Sequence, residues 1–164
     1  MAENILVDQN ALKALKYEQL ITQIKALIGD EKRVLSVISN TAAAIHQAFD
    51  LLWTGFYLKD GDILYLGSFQ SPVACIKINV GNGVCGTVMA KNGTIVVPDV
   101  DQFQDHTTSS TFSKSEILVP IRNIAGEVFG VFDLDSATLS NFERVERDYL
   151  EQICDWLGGF IFSE

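Results

Sequence analysis

At 164 residues the chain is long enough to bury one continuous core and too short for two ordinary domains, so one domain is expected over residues 1–164. Hydrophobic content of 48% with ten Phe excludes a disordered chain, and no apolar run approaches the roughly 20 residues of a bilayer span. Twelve basic against twenty-one acidic residues leave a net charge of −9, which repels phosphate backbones and anionic lipid heads; neither nucleic acid nor membrane is an expected partner.

In chain order, the opening stretch MAENILVDQNALKALKYEQL carries charges throughout and lacks the apolar centre of a secretory signal, so a cytoplasmic location is expected. Leu12, Leu15, Leu20, Ile24 and Leu27 recur near helical spacing until Gly29 stops the segment. Asp30 is the expected cap of a second helix, whose stripe is Val34, Ile38, Ala42, Ile45 and Phe49. The period then changes. LLWTGFYL and ILYLGSF flank KDGD and predict a hairpin, CIKINV alternates as a strand, and GNGVCG is a glycine-rich turn leading into a short helix near VMAKN. TIVVPDV reads as a strand closed by proline. Residues Asp99 to Ser115 form a polar connection of about 17 residues, a length that in small domains tends to serve function. EILVPIR and EVFGVFDLD pair across NIAG. Ser140 with Glu143 predicts a capping box for a closing helix striped by Phe142, Val145, Tyr149, Ile153, Trp156 and Phe160. The fold class is therefore α+β: an antiparallel sheet of about five or six strands with helices on one face.

Several residue groups are chemical candidates. Asp133 and Asp135 stand two apart on one strand and so share a face, roughly 6 to 7 Å apart, with Phe132 and Leu134 opposite. Like charges so placed resist joint ionisation unless a cation meets them, which makes a pocket for an ammonium group; the alternative is a solvated strand end. Glu116, at the start of the neighbouring strand, can join them. Trp53 and Tyr57 also share a face, either as core or as the wall of a small-molecule pocket, with Phe56 beside them. Three Cys, an odd number, read as thiols rather than a disulfide framework. Cys75 and Cys85 are too far apart for a CxxC pair and, with His106, fall short of a structural zinc set, so no metal is expected. Cys85 lies near a helix start, where the dipole favours its thiolate, and Cys154 reads as a small core residue.

Taken together, WTGFYL, LYLGSFQSPVAC, GNGVCG, KSEILVPI, GVFDLDS and the closing ERVERDYLEQICDWL resemble the free methionine (R)-sulfoxide reductases, small proteins of the GAF fold. The resemblance spans about residues 30–160, with residues 1–29 an added N-terminal helix. It implies a central antiparallel sheet of about six strands with N- and C-terminal helices on one face and a ligand cavity on the other. It also implies free methionine sulfoxide as substrate, no bound cofactor and thioredoxin as reductant. With the long amphipathic first helix, it implies a homodimer. Trp53 and Tyr57 fall at the wall for the methyl sulfoxide, and Glu116, Asp133 and Asp135 at the carboxylates that hold the ammonium and the sulfoxide oxygen. Cys75 matches the resolving thiol and Cys85 the other thiol of the loop.

The family's attacking cysteine stands seven residues before that glutamate and three after a histidine, in a segment resembling HIACD. Counting from Glu116 and from His106 both lead to Ser109. Serine has no reversible oxidation ladder of its own. Thr107, Thr108 and Ser110 depart from the pattern too, as natural divergence would produce and a single engineered change would not; Ser68 and Ser71 stand where the family tends to have Pro and Gly. Three functions are compatible with these residues: a ligand-binding GAF module without turnover, a reductase in which Cys85 or Cys75 attacks, and a structural or signalling partner with a vestigial cavity.

Overall fold

In the computed structural model, residues 4–103 and 112–163 are described. Helix α1 (Lys13–Ile28) ends where sequence spacing predicts, because Gly29 adopts a φ of 59° and its N–H closes on Lys25 O at 3.0 Å. The face it buries is Tyr17, Leu20, Ile24 and Ile28, whereas Leu12 and Leu15 are exposed, so the apolar stripe begins one turn later than expected. Helix α2 (Val34–Phe49) buries Val37, Ile38, Ala42, Ile45 and Ala48. Asp30 is not its cap: Arg33 holds that position, and the Glu31 carboxylate takes the Arg33 N–H at 2.8 Å.

Strands β1 (Trp53–Asp60) and β2 (Ile63–Gln70) form the first hairpin, followed by β3 (Lys77–Asn79), α3 (Gly83–Lys91) and β4 (Ile95–Val97). Strands β5 (Ser115–Arg122) and β6 (Val128–Ser136) form the second hairpin, whose turn is tied by Asn123 Oδ1 accepting the N–H groups of Ala125 and Glu127. The chain closes with α4 (Arg144–Phe162). The six strands run in the order β3-β2-β1-β6-β5-β4 with antiparallel neighbours throughout, so the two hairpins meet at β1 and β6 in the centre. This α+β arrangement matches the expectation from sequence.

Alternation along the central strands divides the molecule in two. One cluster joins Phe56, Ile117, Val119, Phe132 and Leu134 to the buried faces of α1, α2 and α4; the other joins Trp53, Tyr57, Leu64 and Leu118 to Val84, Cys85 and Val88 of α3. Phe56 and Phe132 stack at 4.2 Å on the helix side. Helix α4 lies so close to β5 that a Cβ at Gly158 would overlap the Arg122 carbonyl, which explains a glycine inside a helix. Its core-facing line is Leu150, Ile153, Cys154, Leu157 and Ile161, with Tyr149, Trp156 and Phe160 on the flank against the other helices. The capping box is Glu143 with Glu146, not Ser140 with Glu143. Ser140 sits in a left-handed turn with φ 52° and donates its N–H to Pro98 O, while the Glu146 carboxylate accepts the Glu143 N–H at 2.7 Å and meets Lys13 Nζ at 2.6 Å. Cys154 is fully buried in this apolar layer, as its sequence context predicts, and burial raises its thiol pKa well above the usual value.

Candidate functional site

Register brings the acidic candidates together on the face away from α1, α2 and α4. Glu116 stands opposite Asp135 across β5 and β6, and Asp135 stands opposite Trp53 across β6 and β1. The next row on that face is Leu118, Asp133 and Gly55. Directly opposed residues have Cβ atoms about 4.5 to 5.5 Å apart, and two residues along a strand are about 6 to 7 Å apart, so the three carboxyl groups form one tight triangle. Their exposures are 6% for Glu116, 7% for Asp133 and 2% for Asp135, which overturns the reading of a solvated strand end.

Burying carboxyl groups beside one another raises the cost of ionising them. Among the described residues Asp133 Oδ1 is buried with no hydrogen-bond partner, and the Asp133 carboxyl is pushed well above the usual carboxylate range by burial first, then by Asp135 and Glu116. Asp135 receives the Ser113 hydroxyl on Oδ1 at 2.6 Å. The triangle thus gathers acidic oxygens that can grip an ammonium around one carboxyl, Asp133, whose protonated form burial favours, the state that can hand a proton to a leaving oxygen.

The aromatic residues close the other side. Trp53 and Tyr57 are each 1% exposed, with rings 6.0 Å apart, and Trp53 also stacks on Phe69 at 5.6 Å. Gly55 makes this possible, since a Cβ there would collide with the Trp53 ring and Phe69. The indole Nε1 donates to Pro72 O and the Tyr57 hydroxyl to Cys75 O, both at 3.1 Å. Tyr57, Cys75, Cys85, Glu116, Leu118 and Asp133 share a cavity of about 20 Å³ with Ile78 and Val84, room for about one water molecule. Trp53 packs beside this cavity without lining it.

Among the cysteines, Cys75 is half-buried and Cys85 buried, both as free thiols on the same cavity. Cys85 is the third residue of α3, yet the helix dipole does not rule it. Burial, then Asp133, Glu116 and Asp135, raise its thiol pKa well above the usual value, contrary to the thiolate expected from sequence. Ser109 and His106 lie outside the described residues, as do Thr107, Thr108 and Ser110.

Sequence reasoning missed Ser113 and His46. Ser113 was one polar residue in a polar connection, and only folding sets it against Asp135. His46 lies in the last turn of α2, with Nδ1 3.1 Å from Thr54 Oγ1 and Nε2 3.0 Å from Ser71 Oγ. Burial lowers its pKa, opposed by the nearby Asp50 charge. The available signal was Ser71 itself, already noted as a departure.

Known proteins share this architecture. Residues 33–161 match the GAF domain family. The chain is 36% identical over 138 residues to the free methionine-R-sulfoxide reductase of Escherichia coli, covering 84% of this chain and 83% of that one. This protein belongs to the free methionine-R-sulfoxide reductase family of GAF-domain proteins. GAF domain-containing protein A of Dictyostelium discoideum is 40% identical over 154 residues, covering 93% of this chain and 96% of that protein. The X-ray structure of the free methionine-R-sulfoxide reductase from Neisseria meningitidis in complex with its substrate superposes with a TM-score of 0.90 at 39% identity, covering 96% of each chain.

Proposed function

We propose that this protein binds free methionine sulfoxide, or a small zwitterion like it, on the acid-bearing face of the sheet, and that Ser109 withholds turnover by the family's thiolate route. The observation that carries the reading is the triangle of Glu116, Asp133 and Asp135, three buried carboxyl groups on one face, two of which, Glu116 and Asp133, line a cavity with Tyr57 while Asp135 and Trp53 stand alongside. A sheet interior tolerates such a group only where something compensates it, and an ammonium does so while leaving a thioether-like body for the rings. The relative solved with its substrate has the same architecture over nearly its whole length.

In the thiolate route a cysteine sulfur attacks the sulfoxide sulfur, the oxygen is transferred with proton delivery from a carboxyl group, and methionine departs as the thiol becomes a sulfenic acid. A second thiol then condenses with the sulfenic acid, releasing water and leaving a disulfide for thioredoxin to reduce. Asp133 is the proton donor in this scheme, Glu116 and Asp135 hold the ammonium, and Cys75 is the resolving thiol. A serine oxygen at position 109 enters none of these redox states.

Turnover through Cys75 is the second reading, favoured by the place of that thiol on the cavity beside Asp133. Attack by Cys85 is disfavoured because burial, and then the neighbouring acids, raise its thiol pKa. A thioredoxin-coupled NADPH assay with the R epimer separates the readings. The wild type is expected at background and Ser109→Cys at least about a hundredfold above it, the scale on which loss of a nucleophile acts. Equal and substantial rates in both proteins overturn the silent-binder reading in favour of another attacking thiol.

A further inference from the structure

Residues 71–76 form a strap that leaves the end of β2, passes the two buried rings and returns to the sheet. Its far end is fixed by Leu66 N–H donating to Ile76 O at 2.9 Å. Its middle is held from below by Trp53 Nε1 on Pro72 O and the Tyr57 hydroxyl on Cys75 O. Its outer surface is open, with Val73 85% exposed and Ile76 75% exposed, so apolar burial contributes little to keeping it in place.

The near end is held from the opposite side of the sheet. His46 reaches from the last turn of α2 and spans two elements, Thr54 on the helix-facing side of β1 and Ser71 at the start of the strap. Both partners are hydroxyls, which donate or accept as required, so a neutral imidazole satisfies one with each ring nitrogen. Ser71 has φ 87°, a conformation that glycine adopts freely and serine does not. A serine kept there needs a compensating interaction, and the imidazole is the partner that the side chain finds. One turn back along β2, Ser68 makes a matching tie: Ser39 Oγ gives its proton to Leu35 O, so the 2.6 Å bond between Ser68 and Ser39 has Ser68 as donor. The two serines that depart from the family pattern are thus both joined to α2.

We propose that His46 is a positioning residue that, through Ser71, holds the 71–76 strap down and so sets how far the Cys75 thiol stands exposed beside the acidic cavity. The holding itself is independent of the function proposed above; its effect on ligand admission rests on that reading. Release of the near end leaves the strap hinged at Ile76 and tethered by its two ring contacts and the packing of Ala74, and Cys75 gains access to solvent.

Iodoacetamide labelling of the intact chain, followed by peptide mass spectrometry, reads this directly. His46→Ala and Ser71→Ala are each expected to speed labelling of Cys75 by about fivefold, the population shift that one net hydrogen bond controls. The double variant is expected to be no faster than either single one, because both remove the same bond. His46→Gln, which keeps a donor and acceptor in reach of Ser71, is expected to restore most of the protection. Cys154, buried on the core face of α4, is expected to label at its slow wild-type rate throughout. Unchanged Cys75 labelling in both alanine variants overturns the proposal, and so does a parallel rise at Cys154, which means general loosening. If methionine sulfoxide fails to bind the wild type while the Cys75 effect appears, the functional reading fails and the positioning role stands.

Discussion

The two faces of the sheet are built from the same strands and treat burial in opposite ways. Toward α1, α2 and α4 the central layer is apolar apart from the Thr54 hydroxyl, which meets His46, and Phe56, Phe132, Ile117 and Leu134 fill it. On the other face the alternate residues of the same strands include Glu116, Asp133 and Asp135, buried nearly as deeply. Apolar packing accounts for most of the first face. The second carries polar groups whose desolvation opposes folding, and such an arrangement persists where a site needs it.

The sharpest way to expose the contrast is to remove a side chain from each face. Phe132→Ala deletes a ring that is fully buried and stacked on Phe56, and is expected to destabilise the protein by about 3–5 kcal/mol in urea denaturation, with little change in slope. A loss below 1 kcal/mol there means that the helix-side layer is not the main source of stability. On the acidic face the sign reverses. Asp133→Asn removes a carboxyl whose ionised form the fold disfavours, and is expected to stabilise at neutral pH by about 1–2 kcal/mol. The pH dependence follows from the raised pKa of Asp133. Its native state holds a proton that the unfolded chain loses near pH 4, so its contribution is intact below that pH and is lost as pH climbs to the native pKa. The advantage of Asp133→Asn over wild type therefore grows from about pH 4 upward. An advantage that shrinks across that range places Asp133 in an ionised, satisfied state.

Much of this division was readable before any coordinates. The spacing of Asp133 and Asp135, two apart, and of Trp53 and Tyr57, four apart, put each pair on one face, and the glycine at position 29 marked the end of α1 because its role is local. Where interactions were tertiary, sequence logic slipped. A box with Ser140 fits the S-x-x-E pattern, but the Pro98 carbonyl captures its backbone and moves the cap to Glu143. Cys85 sits where a dipole favours a thiolate, but burial, and then three acids from β5 and β6, push its pKa the other way. His46 looked like any helical histidine until folding delivered Thr54 and Ser71 to its ring. Depth was the other quantity that spacing withheld: alternation places two aspartates on a face without saying whether water reaches it.

The acid triangle as an ammonium cradle is tested most directly by calorimetry with L-methionine (R)-sulfoxide and its N-acetyl derivative, which differ at the ammonium alone. Saturable heat with the free amino acid and at least tenfold weaker binding of the acetylated one is the expected outcome. Equal affinity for both, or no heat with either, contradicts it.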